Sequence, residues 1–159
     1  MNELVKDRNI PALSNGSYTD IDIGVDLIWL NYVNPAEAQY EGDYVFEIKW
    51  HDGRLNWSES SFTDKIIYLP GSILWTPNIQ LMQLNGPIKV DLDASSLRIS
   101  SDGNVTAVLE VWITGVLQVF PYYYPKDEHV CVLNLYADPL HTLSLSRFTS
   151  GICIFIMQF

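Results

Sequence analysis

The chain has 159 residues, the length of one domain with one core, and its 48% apolar and 13% aromatic content with only 18% charged residues excludes a disordered chain. Nineteen acidic against nine basic residues give a formal charge of -10, and no Lys/Arg cluster occurs. That balance excludes a phosphate-backbone binder and leaves solubility, or attraction of cations, as the uses of the acidity.

In chain order, Met1 to Ile10 carries Glu3, Lys6, Asp7 and Arg8 with no apolar run, so no secretory signal peptide is read there. From Asp20 to Leu27 apolar and acidic residues alternate, which places Ile21, Ile23, Val25 and Leu27 on one face of a strand. A turn-rich stretch through Asn34, Pro35 and Gly42 leads to a second strand, where Tyr44, Phe46, Ile48 and Trp50 point one way and Val45, Glu47 and Lys49 the other.

Further short runs are expected as strands at Lys65 to Leu69, Ile88 to Leu92, Leu97 to Ser100, Val105 to Ile113, Val116 to Phe120 and Val130 to Tyr136. Many short strands at turn-marked spacing predict an all-β sandwich or barrel with antiparallel pairing. No stretch shows a sustained helical period. The longest apolar stretch, Ile152 to Met157, is far below the roughly twenty residues of a membrane-spanning helix.

Catalytic and metal constellations fail one by one. His51, His129 and His141 have neither HExxH spacing nor a CxxC partner, so they read as surface or turn histidines. Asp91 to Ser95 begins like a calcium loop, but Ser96 stands where its sharp turn needs glycine and Asp102 where a bidentate Glu belongs. No phosphate loop, nucleophile elbow or dinucleotide fingerprint occurs, so no enzyme, cofactor or metal is expected. Two cysteines, Cys131 and Cys153, define no disulfide framework. Glycosylation triplets begin at Asn15, Asn56 and Asn104, mild support for an extracellular setting.

Four segments carry more information together than apart. They are Trp50, His51, Asp52, Gly53, Arg54, Leu55, Asn56, Trp57; Leu69 through Trp75, Pro77 and Ile79; Arg98 to Gly103; and Tyr124, Pro125, Lys126, Asp127, Glu128, His129, Val130, Cys131. In the first, two tryptophans can anchor the ends of a turn whose backbone Asp52 and Arg54 fix. In order and spacing the four resemble the extracellular ligand-binding domain of the Cys-loop, or pentameric neurotransmitter-gated, ion channels and of the related acetylcholine-binding proteins. The resemblance runs from about residue 20 to about residue 135.

The resemblance implies an immunoglobulin-like antiparallel β-sandwich over 1–159, one domain ending before the family's last strands, with an atypical tail at 150–159. It implies a domain that binds a small ligand between homologous subunits of a pentamer on the extracellular side of the plasma membrane, joined to the membrane only through pore helices that this chain lacks. A soluble secreted binding protein and a non-signalling interaction module are the alternatives.

Carried over by motif, the ligand-binding positions are Val45, Met82, Thr106, Val108, Tyr136 and Asp138, where the family's amine-binding aromatic cage is not retained. Each lost cation–π contact costs about 0.5–2 kcal/mol, so acetylcholine is a poor expectation. In the signature loop, marked by Tyr124, Pro125, Asp127 and Cys131, the first cysteine is replaced by Leu117. The hallmark disulfide is therefore absent, leaving Cys131 as a buried thiol or, as the lesser alternative, a partner of Cys153.

Overall fold

The computed structural model describes residues 19–58, 64–120, 128–137, 141–149 and 154–158. Among them ten strands and two single 3₁₀ turns, Gly53–Leu55 and Gly71–Ile73, form an all-β fold.

Strand β1 (Thr19–Asn34) pairs antiparallel with β2 (Gln39–His51). Its first half follows the expected alternation, but β1 runs seven residues beyond Leu27, the expected limit, to Asn34. Bulges between Leu27 and Trp29 and between Leu30 and Tyr32 explain the difference. Each inserts a residue and resets which parity faces inward, so the period-two signal breaks while the pairing continues. The hairpin turn is held by Asn34, whose Oδ1 accepts from the backbone N–H of Ala36 and Glu37 at 3.0 and 3.3 Å. Gly42, expected in a turn, lies inside β2. A Cβ there would meet the Trp29 carbonyl oxygen at 3.0 Å and the Tyr44 ring at 3.1 Å, so glycine marks a close approach.

Strands β3 (Ile66–Pro70) and β6 (Ser96–Ser100) pair with each other, and β4 (Ile79–Gln83) pairs with β5 (Gly86–Lys89). β4 follows Pro77 too closely for its alternation to be legible in sequence. Strand β7 (Asn104–Phe120) joins two expected strands into one across Gly115 and pairs with β2 from Asn104 to Val116. Strand β8 (Glu128–Ala137) pairs with β7 through its first half and with β4 through its second. The segment after Tyr136, where family similarity fades, supplies β9 (His141–Thr149) beside β1 and β10 (Ile154–Gln158) beside β8. Both of these pairings are parallel, whereas antiparallel pairing was expected throughout.

The sheet curls so that inward faces of distant strands share one core. Ile21, Ile23, Phe46, Ile48, Leu81 and Leu133 belong to one buried cluster. Each fully buried aliphatic of this kind contributes roughly 1.5–3 kcal/mol relative to exposure.

Cys131 is buried and disulfide-bonded, which overturns the expected free thiol. Strand β10 runs along β8 with Phe155 opposite Cys131, bringing the C-terminal segment alongside. Cys153, the alternative partner, lies outside the described residues, as do Asn15, Tyr124, Pro125, Asp127 and Asp138.

Leu117, where the family has its first loop cysteine, is buried directly opposite Cys131 on β7. The Leu117 N–H donates to the Ala38 carbonyl at 2.8 Å, on the side away from β8. Leu117 and Cys131 are therefore a non-hydrogen-bonded pair, with Cα atoms about 4.5 Å apart, inside the range a disulfide spans. Leu117→Cys is expected to compete for Cys131, and peptide mapping under non-reducing conditions should recover a 117–131 linkage. Finding Cys131 still linked elsewhere in every molecule would refute that register.

Candidate ligand-binding site

The tryptophan motifs form the scaffold on which the site positions sit. Asp52 caps the turn Gly53–Leu55: its Oδ1 accepts from the Arg54 backbone N–H at 3.0 Å and from Arg54 Nε at 2.8 Å, and its Oδ2 from Nη2 at 2.7 Å. Asp52 is only 3% exposed, so this forked contact with the guanidinium offsets the cost of burying its charge. Its own N–H donates to the Gly103 carbonyl at 2.9 Å, tying the turn to the loop before β7. Gly103 has φ +84, and a Cβ there would lie 2.7 Å from the Asp52 carbonyl oxygen. Only glycine satisfies both demands.

Two motifs expected separately meet here. Trp50 and Trp75 pack edge to face at 6.4 Å and 85°. Trp57 is half-buried and its Nε1 donates to the Asp64 carbonyl at 3.0 Å. Pro77 is buried at the entry to β4. In the neighbouring loop the Asp102 carboxylate accepts from Ser100 Oγ and from the backbone N–H and Nδ2 of Asn104, and these contacts, the Ser100 hydroxyl first and the Asn104 N–H second, hold its carboxyl below the usual carboxylate range.

The strand-borne positions that the resemblance implies for ligand divide into two groups. Val45 on β2 and Thr106 and Val108 on β7 share the solvent-facing side of two adjacent strands: Val45 stands opposite Glu110, Glu47 opposite Val108, and Lys49 opposite Thr106. Val108 is 58% exposed. Met82 on β4 and Tyr136 on β8 form the second group. Met82 pairs with Asn134 and Gln80 with Tyr136, so both side chains stand on one face as diagonal neighbours, and both are exposed. Each group is apolar to amphipathic, flanked by Glu110 and the Lys49–Glu47 ion pair (3.0 Å) in the first and by the amides Gln80 and Asn134 in the second.

Residues 2–138 match the family described as the neurotransmitter-gated ion-channel ligand binding domain. The chain belongs to this family. Among curated proteins, a ligand-gated ion channel 4 of Caenorhabditis briggsae is 36% identical over 128 residues, covering 78% of this chain and 20% of the relative. The protein of the same name from Caenorhabditis elegans is 34% identical over 128 residues, with the same coverage of each. The acetylcholine receptor subunit gamma of Gallus gallus is 23% identical over 125 residues, covering 77% of this chain and 24% of that subunit. The chain thus spans about a fifth of the length of the curated relatives it matches.

In this neurotransmitter-gated channel ligand-binding domain, Asp52 contacts Arg54 and Trp50 contacts Trp75. The exposed tryptophans Trp29 and Trp112 were not singled out in the sequence. Trp29 sits just past the first bulge, where alternation fails, and Trp112 reads as one more member of a long apolar strand. Among the described residues no helix is long and apolar enough to cross a membrane.

Proposed function

We propose that this domain binds a small extracellular ligand at the interface between two copies or homologues of itself, in a pentameric channel at the plasma membrane. The observation that supports this reading is the division of the family's ligand positions. Met82 and Tyr136 lie on β4–β8, whereas Val45, Thr106 and Val108 lie on β2–β7. Two exposed half-sites on different strand pairs are suited to meet across a subunit boundary. Aliphatic and thioether lining at Val45, Val108 and Met82 favours a ligand with more apolar surface than acetylcholine.

The test uses the full-length channel, with currents evoked by a panel of amines, amino acids and their apolar derivatives. Val108→Arg is expected to raise the half-maximal concentration of any activating ligand more than tenfold. Mixed channels carrying Val108→Arg in one copy and Met82→Arg in another should retain a wild-type interface and part of the sensitivity. Unchanged sensitivity in both single variants would count decisively against the interface.

The extracellular reading carries a second expected result. Asn56 is exposed in an extended loop after the 3₁₀ turn, whereas Asn104 is held by Asp102 at 2.7 Å and faces His51 Nδ1 at 3.3 Å. With Asn15 replaced by Gln and the chain secreted from animal cells, Asn56→Gln should remove most glycosidase-sensitive mass, and Asn104→Gln little. The reverse pattern would contradict this ordering.

A further inference from the structure

The outward face of β1–β2–β7 carries a row of three side chains that neither the core nor the family's ligand positions use. Trp29 pairs with Asp43, and Asp43 pairs in turn with Trp112. Residues directly opposite one another project to the same face, so an indole, a carboxylate and a second indole stand side by side across three strands. Trp29 is 66% exposed and Trp112 48%, values at odds with a packing role.

The local backbone fixes this row. Trp112's carbonyl accepts from Gln83 Nε2 at 2.9 Å, on the edge away from β2. Asp43 and Trp112 are therefore a non-hydrogen-bonded pair, the kind in which side chains stand closest. Bulges on either side of Trp29 interrupt the regular ladder, as bulges do where a strand re-aims a side chain. Asn31 Nδ2 donates to Asp43 Oδ2 at 3.1 Å and orients the carboxylate. With strands about 4.8 Å apart, the two indoles rise from backbones about 10 Å apart with the carboxylate between them, a gap that accepts one small ammonium group.

Chemistry decides what fits there. A purely apolar partner would bury Asp43, and Glu41 in the adjoining row Tyr32–Glu41–Thr114, without compensation. Asp26 and Glu110 flank the row on its other side, so the local field favours a cation. A weakly hydrated cation gains from indole faces and carboxylate together, whereas a small hard metal ion gains little from indole.

We propose that Trp29, Asp43 and Trp112 form a binding site for small organic cations, with the ammonium head between the indoles and against the Asp43 carboxylate. All three residues come from one copy of the chain. Binding therefore needs no subunit interface and stands or falls apart from the interface reading above.

The experiment titrates the full chain with tetramethylammonium chloride while following the indole Nε1–H resonances by NMR, with tert-butanol as the neutral comparison of similar shape. Saturable shifts confined to the Trp29 and Trp112 indoles, with a millimolar dissociation constant, are expected for the cation alone. Asp43→Asn keeps the side-chain shape and should weaken binding about fivefold or more. Trp29→Phe and Trp112→Phe, which preserve apolar area, should each weaken it by about two- to fivefold. Tyr68→Ser, at an exposed position on β3 outside the row, should leave it within about twofold. The proposal is overturned by tert-butanol shifting the same resonances to the same extent, by no saturable shift, or by Asp43→Asn binding as tightly as wild type.

Discussion

Gly71→Ala is expected to destabilise the domain by about 3 kcal/mol or more, a loss readable as a lowered urea midpoint. A Cβ at position 71 would lie 2.0 Å from the Leu92 carbonyl oxygen and 3.0 Å from its carbonyl carbon. Both are backbone atoms, so no rotamer change relieves the overlap. The two segments are also tied: Gly71 N–H donates to the Ser95 carbonyl at 2.9 Å. Separating them would open the turn that positions Trp75 against Trp50. Gly86→Ala supplies the comparison, since no atom lies within 4 Å of its added Cβ and its φ of +110 leaves backbone strain as the cost. That cost is about 1–2 kcal/mol. Equal losses at the two glycines would show that the close approach at Gly71 is not what matters.

Gly115→Ala should cost a similar amount for a different reason, and the reason can be isolated. Tyr40 pairs across the strands with Gly115 and lays its ring over it, so an added Cβ would meet Cε1, Cζ and the hydroxyl oxygen at 2.4 to 2.5 Å. The ring is pinned by full burial and by its hydroxyl donating to the Val132 carbonyl at 3.1 Å. Tyr40→Leu alone is expected to lose about 2–4 kcal/mol through lost packing and the lost hydroxyl hydrogen bond. In the double variant the overlap is gone, so the losses should fall short of their sum by about 2 kcal/mol. Strict additivity in the four-protein cycle would refute the steric explanation.

Tyr40 and Tyr44 set an alkaline limit. Burial, above all, pushes the Tyr40 and Tyr44 phenols far above their ordinary range. A group whose folded pKa is raised contributes stability fully below its unfolded value and loses it as pH rises beyond that value. Stability should therefore fall from about pH 10 upward, and Tyr40→Phe should flatten that fall.

Much of this was legible because it depends on near neighbours. The alternations in Ile21–Leu27 and Tyr44–Trp50 identified two inward faces, since side-chain direction in a strand has period two whatever it packs against. The Asp52–Arg54 turn closes within three residues, so its chemistry is written in sequence order. The second half of β1 was not legible, because two bulges shift parity. Nor was β4, whose pairing with β8 joins residues more than fifty positions apart.

The sequence by itself determined the all-β class, the family and the turn motifs, each a matter of local pattern. Tertiary structure alone decided that Trp50 and Trp75 touch, that Leu117 faces a disulfide-bonded Cys131, and that the positions the resemblance implies for ligand lie on two different strand pairs. It also decided that Trp29, Asp43 and Trp112 form one row. These facts depend on cross-strand register, which long-range hydrogen bonding and burial of a shared face fix and which no short window of residues encodes.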